Sequence, residues 1–365
     1  MIVVTQVVTG LPPAVDGIGD YSLNLARELR KEFSIETQFI VGNPNWIGAK
    51  DIEGFPVNKV TVHSTANLLS LLPNEAQTRT IVLLHYVGYG YAKRGCPFWL
   101  VEGLECWKRN SASTHLVTMF HEVYASGPLW TSAFWLSSVQ RHLAVRLVQI
   151  SDRYLTSKQG YGRILQELAQ SKQTQLLTLP VFSTIGEPKQ VPPLAQRYRR
   201  LVVFGGCSNR IRVYQKSGLE LSETCQRLKI EEIWDIGPPT GLGLSTIDGV
   251  PVVEMGSQSA SNVSDILSNS LAAFFNYHLN YLAKSTIFAA YCAHGILPVS
   301  PRSRKLPIDG IIAGRHYWSP VDNTQGFHDL DELQAIANNA YAWYQTHNLS
   351  VQAKAFAALL ADTSK

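Results

Sequence analysis

Apolar residues come in short runs that alternate with amphipathic stretches along the whole chain. An apolar run from Ile2 to Val8 precedes a segment, about Asp20 to Glu32, where Tyr21, Leu25 and Leu29 recur every four residues. Arg27, Arg30 and Lys31 fall elsewhere on that wheel. The first pattern predicts a buried strand, the second a helix with one apolar face. The same alternation predicts strands at 2–8, 36–41, 59–63, 80–85, 115–120, 153–157 and 175–179, and helices at 20–32, 65–72, 98–109, 134–149 and 158–170. Strands alternating with helices indicate right-handed βαβ units and a parallel sheet. A polar stretch from Gly186 to Arg200, with Pro188, Pro192 and Pro193, has the composition of a linker. The pattern then restarts with a strand at Leu201–Phe204, a Gly205-Gly206 turn and a helix from about Tyr214 to Leu228. Strands at 231–236, 250–254, 271–276 and 296–299 follow, with helices near 260–268, 282–294, 329–347 and 349–361. No sequence repeat is visible, yet each half opens with a strand, a glycine turn and a helix. The predicted fold class is α/β, with two Rossmann-like domains (1–190 and 191–365) facing across a cleft.

Size and composition agree with two domains. A chain of 365 residues exceeds the length at which one core keeps growing. Hydrophobic residues at 45% against 16% charged argue for a well-buried globular protein and against disorder. The formal charge of +4 is too small and dispersed to predict nucleic-acid binding, and leaves room for anionic ligands or a membrane surface. Cys96, Cys106, Cys207, Cys225 and Cys292 form no C-x-x-C pair, so they read as reduced, mostly buried thiols, neither a disulfide frame nor a zinc site. The chain begins directly with a strand and has no bilayer-length apolar run, which predicts a cytoplasmic protein with at most peripheral membrane contact.

Several constellations could carry chemistry. Thr9 to Asp20 contains Gly17 and Gly19 between the first strand and helix, where unpaired N–H groups and the positive helix end suit an anion. A dinucleotide fingerprint would need a third glycine where Ser22 stands, so NAD is not expected. His85 and His121, the latter followed by Glu122, close two apolar strands, the end where ligands sit in parallel sheets. Each is followed by an aromatic loop, Tyr86 to Tyr91 (with Tyr89 central) and Tyr124 to Trp130, suited to sugar rings or apolar ligands. In the second half Arg210, Arg212 and Lys216 follow the glycine turn, and Lys284-Ser285-Thr286 opens an apolar helix. A lysine there disfavours the helix dipole by about 0.3–1 kcal/mol, a cost that a bound anion offsets. Each feature also has a structural alternative: a turn glycine, a histidine satisfied by backbone, aromatics packing a loop, a solvated lysine.

Three of these places carry a resemblance. The opening strand with Asp16-Gly17-Ile18-Gly19-Asp20-Tyr21-Ser22, the strand ending Phe120-His121-Glu122, and Lys284-Ser285 through Ala293-His294-Gly295-Ile296-Leu297-Pro298-Val299 are similar to GT-B glycosyltransferases, especially retaining family-four-like enzymes. The resemblance implies transfer of a sugar from a nucleotide-diphosphate sugar, the substrate, to a glycan, lipid-linked or small-molecule acceptor in polysaccharide or glycoconjugate synthesis, with no further cofactor, no metal and no nucleic-acid partner. By this likeness the first domain holds the acceptor, with Gly17, Gly19, Asp20, His85 and Tyr89 around it and His121 and Glu122 at the transferred sugar. The second binds the donor diphosphate through Arg210, Arg212, Lys216, Lys284, Ser285 and Thr286, and the last helix is a candidate to cross back to the first. The chain departs from the family at its pair of glutamates and at the arginine–lysine pair after the first strand of the second domain, which Arg210 or Arg212 with Lys216 matches only loosely. The two family glutamates, eight residues apart, fall at Leu282 and Ala290. The alternatives are a GT-B-like binding or scaffold protein without turnover, and a sugar-nucleotide epimerase of the same architecture.

Overall fold

The computed structural model describes residues 2–14, 16–74, 79–110, 113–169, 176–322 and 329–361. Val15 of the glycine loop and residues 170 and 175, at the ends of an expected helix and strand, lie outside them. Contacts divide the chain into two compact units, Met1–Pro180 with Leu349–Lys365, and Val181–Asn348.

The first unit runs β1 (Ile2–Val8), α1 (Gly17–Phe33), β2 (Ile35–Val41), β3 (Asp51–Ile52), β4 (Phe55–Lys59), α2 (Thr65–Leu71), β5 (Thr80–Tyr86), α3 (Gly88–Tyr91), α4 (Phe98–Asn110), β6 (Thr114–Phe120), α5 (Ser132–Ile150), β7 (Arg153–Thr156), α6 (Gln159–Ala169) and β8 (Leu177–Thr178). Among the described residues its sheet has the order β3-β4-β2-β1-β5-β6-β7-β8, parallel except for the β3–β4 hairpin. Every residue of β5 and β6 is buried, because helices cover both faces of the parallel strands. One face packs Val82, Leu84 and Leu116 against Leu100, Leu104 and Leu147 of the α4 and α5 helices. The other packs Val8 and Phe39 against Leu23 and Ala26 of α1.

The second unit runs β9 (Tyr198–Phe204), α7 (Cys207–Lys216), α8 (Gly218–Leu228), β10 (Glu232–Ile236), β11 (Thr246–Ile247), β12 (Val250–Gly256), α9 (Ala260–Asn269), β13 (Ser270–Phe274), α10 (Thr286–Ala293), β14 (Leu297–Val299) and α11 (Leu330–Gln345). The sheet order is β11-β12-β10-β9-β13-β14, parallel except for the β11–β12 hairpin. The final helix, α12 (Leu349–Ala361), belongs to the first unit, where the Tyr21 hydroxyl of α1 donates to Gln352 Oε1 at 2.5 Å. No helix of the described residues is long and apolar enough to cross a membrane.

Five expectations are corrected. The strand expected at 59–63 lies earlier, at Phe55–Lys59, because Glu53 (φ 56°) and Gly54 (φ 80°) form a two-residue turn that starts β4 immediately after it. The second unit repeats the device with Asp248 (φ 48°) and Gly249 (φ 83°). Ile52-Glu53-Gly54-Phe55-Pro56-Val57 and Ile247-Asp248-Gly249-Val250-Pro251-Val252 thus occupy equivalent hairpins beside the second strand of each sheet, a short internal repeat where none was expected. The helix expected over 214–228 is two helices, broken at Ser217, whose hydroxyl accepts from Asn276 Nδ2 at 2.7 Å. The proline-bearing stretch 186–200 is packed: Leu194 joins the core, and buried Arg197 donates to the carbonyls of Pro192, Leu267, Ser270 and His294. Of the cysteines, only Cys225 and Cys292 are buried; all five are free thiols.

Candidate functional site

In both sheets the order of strands reverses beside the first strand of the unit, at β1/β5 and at β9/β13. Carboxyl ends of strands at such a switch point leave a crevice where α/β proteins bind ligands.

In the first unit, β5 and β6 bring the two expected histidines together. His85 is fully buried within β5, and His121 follows β6, its N–H bonded to Tyr86 O at 3.0 Å. His85 Nδ1 lies 3.1 Å from His121 Nε2, and His85 Nε2 lies 2.9 Å from Gln6 Oε1 of β1. Burial, followed by the neighbouring His121, holds the His85 pKa well below its ordinary value, so this imidazole is neutral. With Gln6 Oε1 accepting from His85 Nε2–H, His85 Nδ1 is left as the acceptor for His121 Nε2–H. Gln6 therefore sets the tautomer of His85 and, through it, the orientation of His121. The Tyr21 ring stands edge-on to both imidazoles, at 5.8 and 5.2 Å. The Tyr91 hydroxyl is 2.9 Å from His85 O. A polar residue inside the apolar run Ile2–Val8 was the available signal for Gln6, and it passed unnoticed because the run reads as a plain buried strand.

The glycine loop is organised differently from the expectation. The helix begins at Gly17, not near Asp20, and Asp16 caps it, accepting from Ile18 N (2.9 Å), Gly19 N (3.2 Å) and Thr9 Oγ1 (2.6 Å). Two N–H groups of this helix end are thus occupied by a carboxylate of the chain itself. A Cβ on Gly19 would lie 2.3 Å from Gly10 O, whereas one on Gly17 would meet nothing within 4 Å. Gly19 is thus a close-packing residue. Asp20, half-buried in the first turn, has its pKa raised by burial and then by Asp16. Glu122 is half-buried beside His121. Tyr89 stands apart from the histidine pair, its hydroxyl accepting from Gln140 Nε2 at 3.2 Å.

In the second unit the switch point holds a small pocket, with a cavity volume of about 20 Å³, lined by Val203 and Phe204 of β9, Asn209 and Arg210 of α7, Phe275 and Asn276 after β13, and Ser285, Ile287 and Phe288 at the start of α10. The amino end of α7 has no side-chain cap. Ser285 caps α10 by accepting from Phe288 N at 3.2 Å. Asn276, 5% exposed, uses Nδ2 on Ser217, and its Oδ1 has no partner among the described residues. A buried acceptor at a pocket wall takes a donor from water or from a ligand.

Two of the six expected donor residues, Arg210 and Ser285, line this pocket. Arg210 is held by groups of the chain itself. Its guanidinium is buried and paired with Asp235 Oδ1, donates to Gly205 O at 2.9 Å and also reaches Pro238 O. Asp235 in turn accepts from the Tyr214 hydroxyl at 2.6 Å. Arg210 therefore fixes the glycine turns that end β9 and β10, where a Cβ on Gly237 would lie 2.2 Å from Gly205 O. Arg212 and Lys216 are exposed on α7. Lys284 is half-exposed, its ammonium 5.4 Å from the centre of the Tyr281 ring, and Thr286 opens α10. Asn276 and Asp235 were missed. Asn276 follows an apolar strand, the placement that singled out the histidines, while Asp235 lies inside β10.

No family model matches the sequence, and no curated protein matches it. Solved structures do share the fold. An alpha-glucosyltransferase in complex with UDP-glucose and DNA containing an abasic site is 12% identical, at a TM-score of 0.60 over 98% of this chain and 99% of that one. WaaG, a glycosyltransferase involved in lipopolysaccharide biosynthesis, is 12% identical, at a TM-score of 0.58 over the same shares. A putative UDP-N-acetylglucosamine 2-epimerase from Listeria monocytogenes is 11% identical, at 0.54 over 98% and 96%. At this identity the likeness shows the fold, which is the two-unit Rossmann-like GT-B fold.

Proposed function

We propose that the chain is a glycosyltransferase, retaining and family-four-like, whose second unit binds a nucleoside-diphosphate sugar and whose first unit presents His121 to the transferred sugar. The observation that carries the donor half is the switch-point pocket, with the uncapped end of α7 and the orphaned Asn276 acceptor at its wall. Backbone N–H groups at a helix start suit phosphate oxygens, and the Asn276 oxygen suits a hydroxyl of the nucleotide. Lys284, Arg212 and Lys216 supply positive charge for the diphosphate as it leaves, and stabilising that developing charge is the main catalytic task of such a transfer. His121, oriented through Gln6 and His85, contributes a fixed hydrogen bond to the sugar. The solved structures in complex with UDP-glucose or named as glycosyltransferases support the same chemistry.

One observation favours a second reading, a nucleotide-sugar-binding protein without turnover. The positions of the family glutamates are buried apolar side chains, Leu282 and Ala290. A transfer assay across nucleotide sugars with the His121→Ala variant separates the two. The enzyme reading expects a rate loss of about 10²-fold or more with nucleotide binding retained. Tight nucleotide-sugar binding with no turnover in the wild-type chain would instead establish the binding protein.

A further inference from the structure

The first unit carries an exposed apolar surface outside the residues proposed above to contact the sugar. Pro128–Thr131 form a turn closed by Thr131 N–H to Pro128 O at 2.9 Å, and the Thr131 hydroxyl caps α5. The turn holds its two central side chains outward, Leu129 at 61% and Trp130 at 85% exposure. Phe134 and Trp135 (70% exposed) continue the surface in the first turn of α5, their rings edge to face at 5.4 Å. Arg141 and His142 lie further along the exposed side of α5, while Leu143, Ala144 and Leu147 are buried. Gln140 ties in the neighbouring loop, accepting from Ala125 N and donating to the Tyr89 hydroxyl and Arg94 O. Exposed Lys93 and Arg94 are thereby held beside this helix.

The charge pattern selects the partner. Neither Tyr86–Val101 nor Val123–Gln149 contains a single carboxylate, while between them they carry Lys93, Arg94, Arg141 and Arg146. Arg146 pairs with Glu105 of α4, which leaves the other three to meet a negative surface. Soluble surfaces rarely expose two indoles, a phenylalanine and a leucine together. Indoles favour the boundary between lipid headgroups and acyl chains, and neighbouring cations favour lipid phosphates. A platform for glycans would call for carboxylates or carboxamides beside the rings to bind hydroxyls; the exposed polar neighbours here are Ser126, Ser132, Ser138, His142 and cations.

We propose that this face docks the first unit onto an anionic lipid bilayer, Leu129, Trp130, Phe134 and Trp135 entering the headgroup layer while Lys93, Arg94 and Arg141 contact lipid phosphates. The test is flotation of the full chain with vesicles of phosphatidylcholine and phosphatidylglycerol in equal parts, and with phosphatidylcholine alone. Wild-type protein floats with the mixed vesicles and does so less at high salt. The Trp130→Ser/Trp135→Ser variant loses about tenfold or more in partitioning with an unchanged melting temperature. Leu129→Ser gives a second, smaller loss should the double variant melt early. Wild-type protein that stays soluble with the mixed vesicles overturns the proposal, as does a folded variant that partitions like wild type. Quenching of the indoles by soluble oligosaccharides without vesicle binding would assign the surface to a glycan and also overturn it.

Discussion

At the scale of single residues, position in the fold separates side chains that look alike in the sequence. Arg210 and Arg212 both follow a glycine turn, yet the first is buried against Asp235 and the second is exposed. Arg210→Met should therefore destabilise the chain by about 3–5 kcal/mol in denaturant titration, the cost of leaving Asp235 unpaired, while Arg212→Met should stay within about 0.5 kcal/mol. Equal effects would contradict the positioning role. Gly17 and Gly19 divide similarly: Gly19→Ala drives a methyl into Gly10 O and should cost at least about 1–3 kcal/mol, whereas Gly17→Ala should be near neutral. The two histidines were legible because a polar residue at the end of an apolar strand stands out. Asn276 obeys the same logic, whereas Gln6 and Asp235 lie inside strands; the partners of all three are distant in sequence, and only folding pairs them with His85, Arg210 and Ser217.

At the scale of elements, periodicity located nearly every helix and strand, because both faces of the parallel sheets are covered and the apolar runs are long. What it misplaced were starts and breaks. Asp16 starts α1 three residues before the first residue assigned to it, since capping fixes the boundary more firmly than the apolar stripe does. Asp16→Ala should lower stability by about 0.5–2 kcal/mol and also free Thr9 Oγ1, which calorimetric melting would show. Unchanged melting would mean that the cap is dispensable. The β3–β4 and β11–β12 hairpins were missed because β3 and β11 are only two residues long and carry no readable alternation, while the acidic-glycine turns beside them dictate the pairing.

At the scale of the whole molecule, the α/β class and the two-sheet organisation were legible, and the packed role of 186–200 was not, since a proline-rich composition does not reveal that Arg197 anchors it. Both units bury neutral histidines: His85 is held well below its usual pKa and His294 is pushed down to about 4, in each case first by burial. In the unfolded chain these groups take up protons near 6.5. Stability is thus fully present above that pH and falls as pH drops, by about 1.4 kcal/mol per unit for each histidine, until the folded-state values are reached. Denaturant titrations from pH 7 down to about 5 should show this loss; a flat profile would mean that the buried imidazoles accept protons without cost. The central claim is that the second unit binds a nucleoside diphosphate, and calorimetric titration of the wild-type and Lys284→Ala chains with a panel of these nucleotides tests it most directly. At least one nucleotide should bind saturably at millimolar concentration or below, and the variant should bind it roughly 10- to 150-fold more weakly, the equivalent of about 1.5–3 kcal/mol for a hydrogen bond to a charged group, with its melting temperature unchanged. Absence of binding by every nucleotide at millimolar concentration, or equal affinity of the two chains, would contradict the account.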